Sequence, residues 1–300
     1  MERLEKLLRE RCSELELRRD EPMSKHTTFR IGGPAALMAL SGTAAEAKTA
    51  VQAARELGIE PFFLGNGSNL LVADEGYPGF VVKLAGNFEE VRETEGGLET
   101  GSAVLLSRLA NSALEHGLTG LEFAGGIPGS VGGAVTMNAG AYGGEMAQVL
   151  EEVAFLDEAG EICTLPAAEC GFGYRKSVFS SRRCLILKTR FRLEQGEPAA
   201  IKARMDELAA KRREKQPLEY PSAGSMFKRP PGHFAAALID QCGLKGLTVG
   251  GAQVSEKHAG FVVNRGGATC ADVLELVRQV KEKVLQQTGV ELEMEVKVLR

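Results

Sequence analysis

At 300 residues the chain is long enough for two domains with buried cores, and its 44% hydrophobic and 25% charged composition is that of a globular protein. A formal net charge of −4 speaks against general polyanion binding, so nucleic acid is not an expected partner, though a local basic pocket remains compatible. No apolar run approaches the ~20 residues needed to span a bilayer, and the charged start MERLEKLLRERCSELEL lacks a signal-peptide core, so a cytoplasmic protein without membrane insertion is expected.

An amphipathic helix is predicted over residues 2–17. Residues 25–33, KHTTFRIGG, read as the lead into a strand that ends at a glycine pair. The next helix spans 43–57: Thr43 caps it, Glu46 stands three residues on, and Gly58 stops it. Strands follow near 61–64, 70–72, 80–84 and 99–101, then a helix over 104–115 with Leu105, Leu106, Leu109, Ala110 and Ala113 on one face. After a glycine-rich segment come a hairpin over 153–156 and 162–165 and a strand over 185–193 with one wet face. A boundary falls at Gln195-Gly196-Glu197-Pro198. Beyond it are a polar helix over 199–215, a strand near 225–227, a helix over 233–242, a strand over 260–263, a helix over 271–288 and a strand over 291–298. The fold class is α+β, with a larger N-terminal domain (1–196, core about 28–193) and a smaller C-terminal one (197–300).

Six cysteines (Cys12, Cys163, Cys170, Cys184, Cys242, Cys270) form no C-x-x-C pair and read as reduced thiols. No metal site is expected. Residues 124–144, AGGIPGSVGGAVTMNAGAYGG, hold eight glycines and no ionised side chain. Such a run presents backbone N–H groups suited to a pyrophosphate, or else a set of tight turns. A second glycine turn, Gly65-Asn66-Gly67-Ser68-Asn69, lies between two short strands. It matches neither the Rossmann fingerprint nor a Walker sequence, so a nucleotide held here needs another fold.

Three further places could carry chemistry. Arg175, in GFGYRKSVF, offers a fixed fork for a carboxylate or developing anion, or stacks on Phe172, Tyr174 or Phe179, or is a simple surface arginine. Ser225, in PSAGSMFKRPP, is either a turn serine or a proton donor whose acidity Lys228 and Arg229 assist. Glu291, Glu293 and Glu295 alternate with Leu292, Met294 and Val296, so they form a solvated strand face or include one carboxyl that enters a pocket.

Together these pieces resemble one family, the UDP-N-acetylenolpyruvoylglucosamine reductases, flavoenzymes of peptidoglycan precursor synthesis. The resemblance runs through TTFRIGG (27–33), GNGSNLLV (65–72), AGGIPGSVGGAVTMNAGAYGGE (124–145), YRKSVF (174–179), AGSMFKRPPG (223–232), LIDQCGLKG (238–246), GGAQVSEKHAGFVVN (250–264) and LEMEVKV (292–298). It implies an FAD-binding domain of the vanillyl-alcohol-oxidase (PCMH) type followed by a substrate-binding domain. It implies cofactor contacts from Gly65, Asn66, Gly67, Ser68, Asn69, Gly125, Ile127, Pro128, Gly129, Ser130, Gly132, Gly133, Asn138 and Ala139. Neither glycine loop carries a His or Cys, so the FAD is expected to be non-covalent.

The resemblance also implies a catalytic set. The Y-R-x-S arginine falls on Arg175, with Ser177 completing the motif, the G-S-x-F-K serine on Ser225 and the final glutamate on Glu295. The implied reaction uses NADPH to reduce UDP-N-acetylglucosamine enolpyruvate to UDP-N-acetylmuramate. Tyr174, Lys215, Arg229 and His258 fall at substrate-contact positions. Fifty positions separate Arg175 from Ser225, which matches the shorter class of the family, without a tyrosine loop that closes over substrate. No motif marks an NADPH site, and a monomer is expected. Two other readings are weaker. A different flavin oxidase on the same fold accounts for the glycine loops but not for the arginine, serine and glutamate motifs. A non-catalytic nucleotide-binding protein needs no flavin.

Overall fold

The computed structural model describes all 300 residues. Seven helices order the chain: α1 (Glu2–Arg11), α2 (Ala44–Glu56), α3 (Leu106–Glu115), α4 (Val131–Thr136), α5 (Pro198–Lys215), α6 (Ala235–Gln241) and α7 (Cys270–Thr288). The chain divides into two compact units. Unit 1 comprises residues 1–19, 37–66 and 79–211, and unit 2 comprises 20–36, 67–78 and 212–300. Two early segments therefore belong with the C-terminal residues, a division that no single cut along the chain describes.

Unit 1 holds two apolar cores. In one, Leu4 and Leu8 of α1 and Ala47, Ala50 and Ala54 of α2 pack with Phe80 and Val82. Alanine on the buried face of α2 keeps that helix close to its neighbours. Thr43 caps it as predicted, with the Glu46 N–H donating to Thr43 Oγ1 at 3.2 Å and the Glu46 carboxylate accepting from the Gly42 N–H. The second core gathers Leu98, Leu109, Val131, Val135, Phe155 and Phe191 beside a five-stranded antiparallel sheet. Its strand order is Ile162–Pro166, Leu150–Leu156, Leu185–Arg192, Gly97–Gly101, Val91–Thr94. The predicted hairpin is its first pair, in register from Glu152 opposite Pro166 to Leu156 opposite Ile162.

In unit 2, α6 and α7 share a core with a four-stranded sheet ordered Ser222–Ser225, Phe261–Asn264, Ala252–Val254, Thr248–Val249. Val273, Leu276, Val277, Val280 and Val284 form the buried stripe of α7 at helical spacing. Full burial of one such side chain contributes about 1.5–3 kcal/mol. A reciprocal capping box between Thr269 and Asp272 starts α7, the Asp74 carboxylate accepts from the N–H groups of Cys270 (2.7 Å) and Ala271 (3.0 Å), and Gly289 ends it in the left-handed conformation. Lys297–Leu299 pairs in parallel with Leu70–Val72, joining the chain end to the segment after the first glycine turn.

Four predicted elements differ, among them the strand expected near 225–227, which lies at Ser222–Ser225. The first helix ends at Arg11 rather than 17, and Glu16–Pro22 is a strand. The helical spacing of Leu4, Leu7 and Leu8 gives way to a spacing of two at Leu15 and Leu17, and the backbone follows that period. The glycine pair Gly32-Gly33 precedes a strand, Pro34–Ser41, instead of ending one. It is clamped on both sides: Met23 N–H donates to Gly33 O at 3.0 Å, and Gly33 N–H donates to Ala73 O at 2.9 Å. The last strand is regular only over Lys297–Leu299. Residues 291–296 keep the predicted alternation, with Leu292 and Val296 buried and Glu291 and Glu293 exposed, but their pairing reduces to a bridge between Phe227 and Met294.

Gly67 shows what this packing demands. Its φ is +61°, and a Cβ there would overlap the carbonyl oxygen of His26. Gly96, at φ +76°, faces open space, and a Cβ added there would meet nothing within 4 Å. Gly96→Ala is therefore expected to lose about 1 kcal/mol, the backbone term alone. Gly67→Ala is expected to lose at least twice as much, read from urea unfolding midpoints of the two variants. An equal loss would show that residues 26–28 yield without strain.

Candidate active site

In unit 1 the strand Phe62–Leu64 runs into Gly65-Asn66. The Asn66 Nδ2 donates to the carbonyl of Pro128 at 2.6 Å, tying the first glycine turn to the second. Gly65 lies against Ser130, whose Oγ would stand 2.6 Å from a Cβ on Gly65. Around them backbone holds backbone. Leu106 N–H donates to Gly129 O at 3.0 Å, Gly132 N–H to Ser102 O at 2.9 Å, and Ile127 N–H to Ala124 O at 3.0 Å. A Cβ on Gly132 would come within 2.9 Å of Ser102 Cβ, so helix α4, unforeseen in so glycine-rich a stretch, exists through close approach rather than helix propensity.

The Ser130 hydroxyl is buried and has no hydrogen-bond partner in the protein. Such a group costs about 1–3 kcal/mol unless something bonds to it. The surroundings are hydroxyl and backbone groups in a stretch without ionised side chains, with Gly133 exposed beside them. That donor set suits the pyrophosphate of a dinucleotide, and the cradle fits FAD.

Arg175 sits at the tip of a two-residue turn. Gly173 and Lys176 exchange backbone hydrogen bonds of 3.0 and 3.2 Å across Tyr174-Arg175, and Arg175 has φ +54°. A left-handed non-glycine residue costs on the order of 1 kcal/mol, so its surroundings must hold it. Ser177 is fully buried, and its Oγ donates to the carbonyl of Thr136 at 2.8 Å; Ser180 Oγ donates to the same carbonyl at 2.7 Å. Of the three aromatics near Arg175 in sequence, Tyr174 is the one under its guanidinium, 5.3 Å from the ring centroid, while Phe179 is buried edge-on to Phe155. Tyr174 itself is exposed.

Asn138 is buried at φ +42°. Its Oδ1 accepts from Ala147 N–H at 3.0 Å and its Nδ2 donates to Gly173 O at 3.2 Å. The side chain is thus engaged within the protein. Ala139 follows it as a half-buried neighbour of the second core.

In unit 2, Ser225 ends the strand Ser222–Ser225 and is exposed. Two residues on, the backbone pairs with the C-terminal segment: Lys228 N–H donates to Glu293 O at 2.8 Å and Glu295 N–H to Met226 O at 2.9 Å. This antiparallel pairing brings the serine and glutamate segments together. Glu295 is half-buried, unlike Glu291 and Glu293, which picks it out of the three carboxylates. Asn69 holds it from the other side, donating from Nδ2 to Glu295 O at 3.3 Å and accepting from Lys297 N–H at 3.1 Å. Ser68 is half-buried in the same turn.

The two cations expected to assist Ser225 are engaged elsewhere. The Lys228 ammonium pairs with the Glu293 carboxylate, and the Arg229 guanidinium stacks 4.0 Å from the Phe234 ring centroid. Lys215, at the end of α5, is exposed. His258 packs edge-on to Phe261 and its Nδ1 accepts from Gly260 N–H at 3.2 Å; burial, with a smaller contribution from Lys245, pushes its pKa below the usual histidine value, so the ring is neutral at pH 7. Sequence reading missed two residues that position the serine strand. Thr28 Oγ1 donates to Ser222 O at 2.7 Å, and Asn264 Nδ2 donates to Phe29 O at 3.2 Å while Asn264 N–H donates to Pro221 O at 2.9 Å. Both lie inside the motifs TTFRIGG and GGAQVSEKHAGFVVN, and no local pattern in the sequence marks the bonds they make.

Known proteins place this geometry. Residues 35–166 match an FAD-binding domain, and residues 216–299 match the C-terminal domain of UDP-N-acetylenolpyruvoylglucosamine reductase. The chain is 48% identical to the UDP-N-acetylenolpyruvoylglucosamine reductase of Caldanaerobacter subterraneus, over 97% of this chain and 96% of that protein. It is 47% identical to the enzyme of that name from Clostridium botulinum, over 93% and 91% of the two chains. The crystal structure of the Thermus caldophilus reductase superposes with a TM-score of 0.82 at 40% identity, covering 96% of this chain and 99% of that one. The chain belongs to the UDP-N-acetylenolpyruvoylglucosamine reductase family.

Proposed function

We propose that this protein reduces UDP-N-acetylglucosamine enolpyruvate to UDP-N-acetylmuramate with NADPH and non-covalent FAD, and that Arg175, Ser225 and Glu295 carry the chemistry at the enolpyruvyl group. Similarity to the reductases along nearly the whole chain is the observation that carries the reaction. We assign the cofactor to the N-terminal domain, residues 1–196, and the substrate to residues 197–300, in line with the two matched domains. The cofactor contacts proposed are the backbone of Gly65, Gly67, Gly125, Gly129, Gly132 and Gly133 and the Ser130 hydroxyl. Bound FAD supplies the hydride relay from NADPH to the enolpyruvyl carbon.

The side chains do the rest. Arg175 presents a permanent cation to the substrate carboxylate, and with Glu295 it stabilises the enolate as charge develops. Ser225 gives the proton to C2. Lys215 and Arg229 supply positive charge for the diphosphate, Tyr174 an exposed ring, and the neutral His258 a hydrogen-bonding imidazole. The six cysteines are all unpaired, which accords with a reducing cytoplasm, and a monomer is the proposed state.

The purified protein is expected to be yellow, to bleach with NADPH, and to release all its flavin into the supernatant on acid precipitation. Colour left on the pellet would show a covalent link, and a colourless protein unable to take up FAD would end the flavoenzyme reading. Ser225→Ala is expected to accept reduction by NADPH at near the wild-type rate but to lose about 10²–10⁴-fold in reoxidation by substrate, the usual contribution of a placed general acid. Equal losses in both half-reactions would make Ser225 a structural residue.

Glu295→Gln is expected to slow reoxidation more than reduction in stopped-flow traces. Glu293→Gln removes only a surface ion pair with Lys228, so it should be nearly silent. Matching effects from the two substitutions would remove Glu295 from its assigned role.

A further inference from the structure

We propose that Asn138 is a positioning residue for Arg175, acting through the carbonyl of Gly173; the inference rests on the assignment of Arg175 to the enolpyruvyl group. The family resemblance places Asn138 among the cofactor contacts, but its side chain is turned to other work. Both ends of the amide are engaged, Oδ1 by the Ala147 N–H at 3.0 Å and Nδ2 by Gly173 O at 3.2 Å, and the residue is buried. The partners fix the orientation of the amide, since a carbonyl accepts only from the NH2 end and an N–H donates only to the oxygen end.

Asparagine meets three demands at this position. It tolerates the left-handed φ of +42°, and it offers both a donor and an acceptor on a short stem. The Gly173 carbonyl already closes the turn by accepting from Lys176 N–H at 3.2 Å, so the Asn138 bond occupies its second lone pair. One bond shapes the turn and the other anchors it. On the far side of Arg175, Ser177 and Ser180 donate to Thr136 O. The residue with φ +54° is therefore fastened before and behind to the end of α4, whose N-cap is Ser130 in the cofactor cradle. A six-residue helix, about 9 Å long at 1.5 Å per residue, sets the spacing between the cradle and the arginine turn.

The test compares Asn138→Asp, Arg175→Ala and the double variant. Asp keeps the acceptor for Ala147 and removes the donor to Gly173. FAD affinity is measured by quenching of flavin fluorescence, stability by thermal melts, and the two half-reactions by stopped flow. Asn138→Asp is expected to bind FAD within about threefold of wild type and to be reduced normally by NADPH. Its reoxidation by substrate should slow about ten- to a hundredfold, the scale of a misplaced catalytic group. Added to Arg175→Ala, it should change reoxidation by less than about twofold, because the group it acts through is gone.

A fall in FAD affinity matching the fall in activity would make Asn138 a cofactor ligand and overturn the inference. Losses that multiply in the double variant would overturn it too. Slow reoxidation in Arg175→Ala with none in Asn138→Asp would defeat the positioning role alone. Wild-type reoxidation in Arg175→Ala would defeat the assignment of Arg175, and the inference with it. Asn138→Gly, which suits the positive φ and adds no charge, should repeat the pattern; failure of both Asn138 variants to fold would make the residue structural.

Discussion

Close approach of backbone to backbone, made possible by missing side chains, is the constraint on which the rest of this structure depends. Gly65 lets Ser130 lie over the end of the strand Phe62–Leu64, and Gly132 lets α4 press on Ser102. Gly67 lets the next turn pass His26. Each glycine carries an entropic cost of about 0.5–1 kcal/mol relative to alanine. What is gained is a backbone frame held rigidly by its own hydrogen bonds, Gly132 N–H to Ser102 O and Leu106 N–H to Gly129 O among them. A frame held this way needs little reorganisation when an anionic ligand arrives, which is the physical content of a preorganised site.

Side-chain amides extend the same logic where no strand or helix reaches. Asn66 bridges to Pro128, Asn69 to Glu295, Asn138 to Gly173 and Asn264 to Phe29. Each joins a side-chain NH2 to a main-chain carbonyl far away in sequence and so acts as a cross-strap between irregular segments. Losing a strap costs about 1 kcal/mol net, and more where it leaves a buried carbonyl with no other donor. Irregular loops held this way keep their geometry without sacrificing the turns that place functional groups at their tips.

Much of this is legible in the sequence, and the reasons for the remainder are specific. The 124–144 cradle announces itself by composition, and α2 by its cap, its Glu46 and its Gly58. The family motifs pick out Glu295 from three alternating glutamates, and it is the one of the three that is half-buried. The end of α1 is hidden because Glu and Arg residues near 9–14 continue a helix as readily as they leave it. The left-handed φ of Arg175 has no signature in YRKS, since it arises from the Gly173–Lys176 turn and its anchors. Partnerships such as Lys228 with Glu293 join residues 65 positions apart, and no local pattern encodes them.

That last pairing bears on the acid role proposed for Ser225. A hydroxyl gives up a proton readily only when the alkoxide left behind is stabilised. Lys228 spends its charge on Glu293 and Arg229 lies over Phe234, so neither cation of the serine's own segment is aimed at Ser225. Ser225 is also exposed, where water screens any charge nearby. In the acid role proposed for it, its acidity would have to develop as substrate arrives, displaces the water and strengthens the remaining electrostatic interactions at the hydroxyl. On that proposal the protonation step is coupled to binding, because the serine becomes an acid only beneath its substrate.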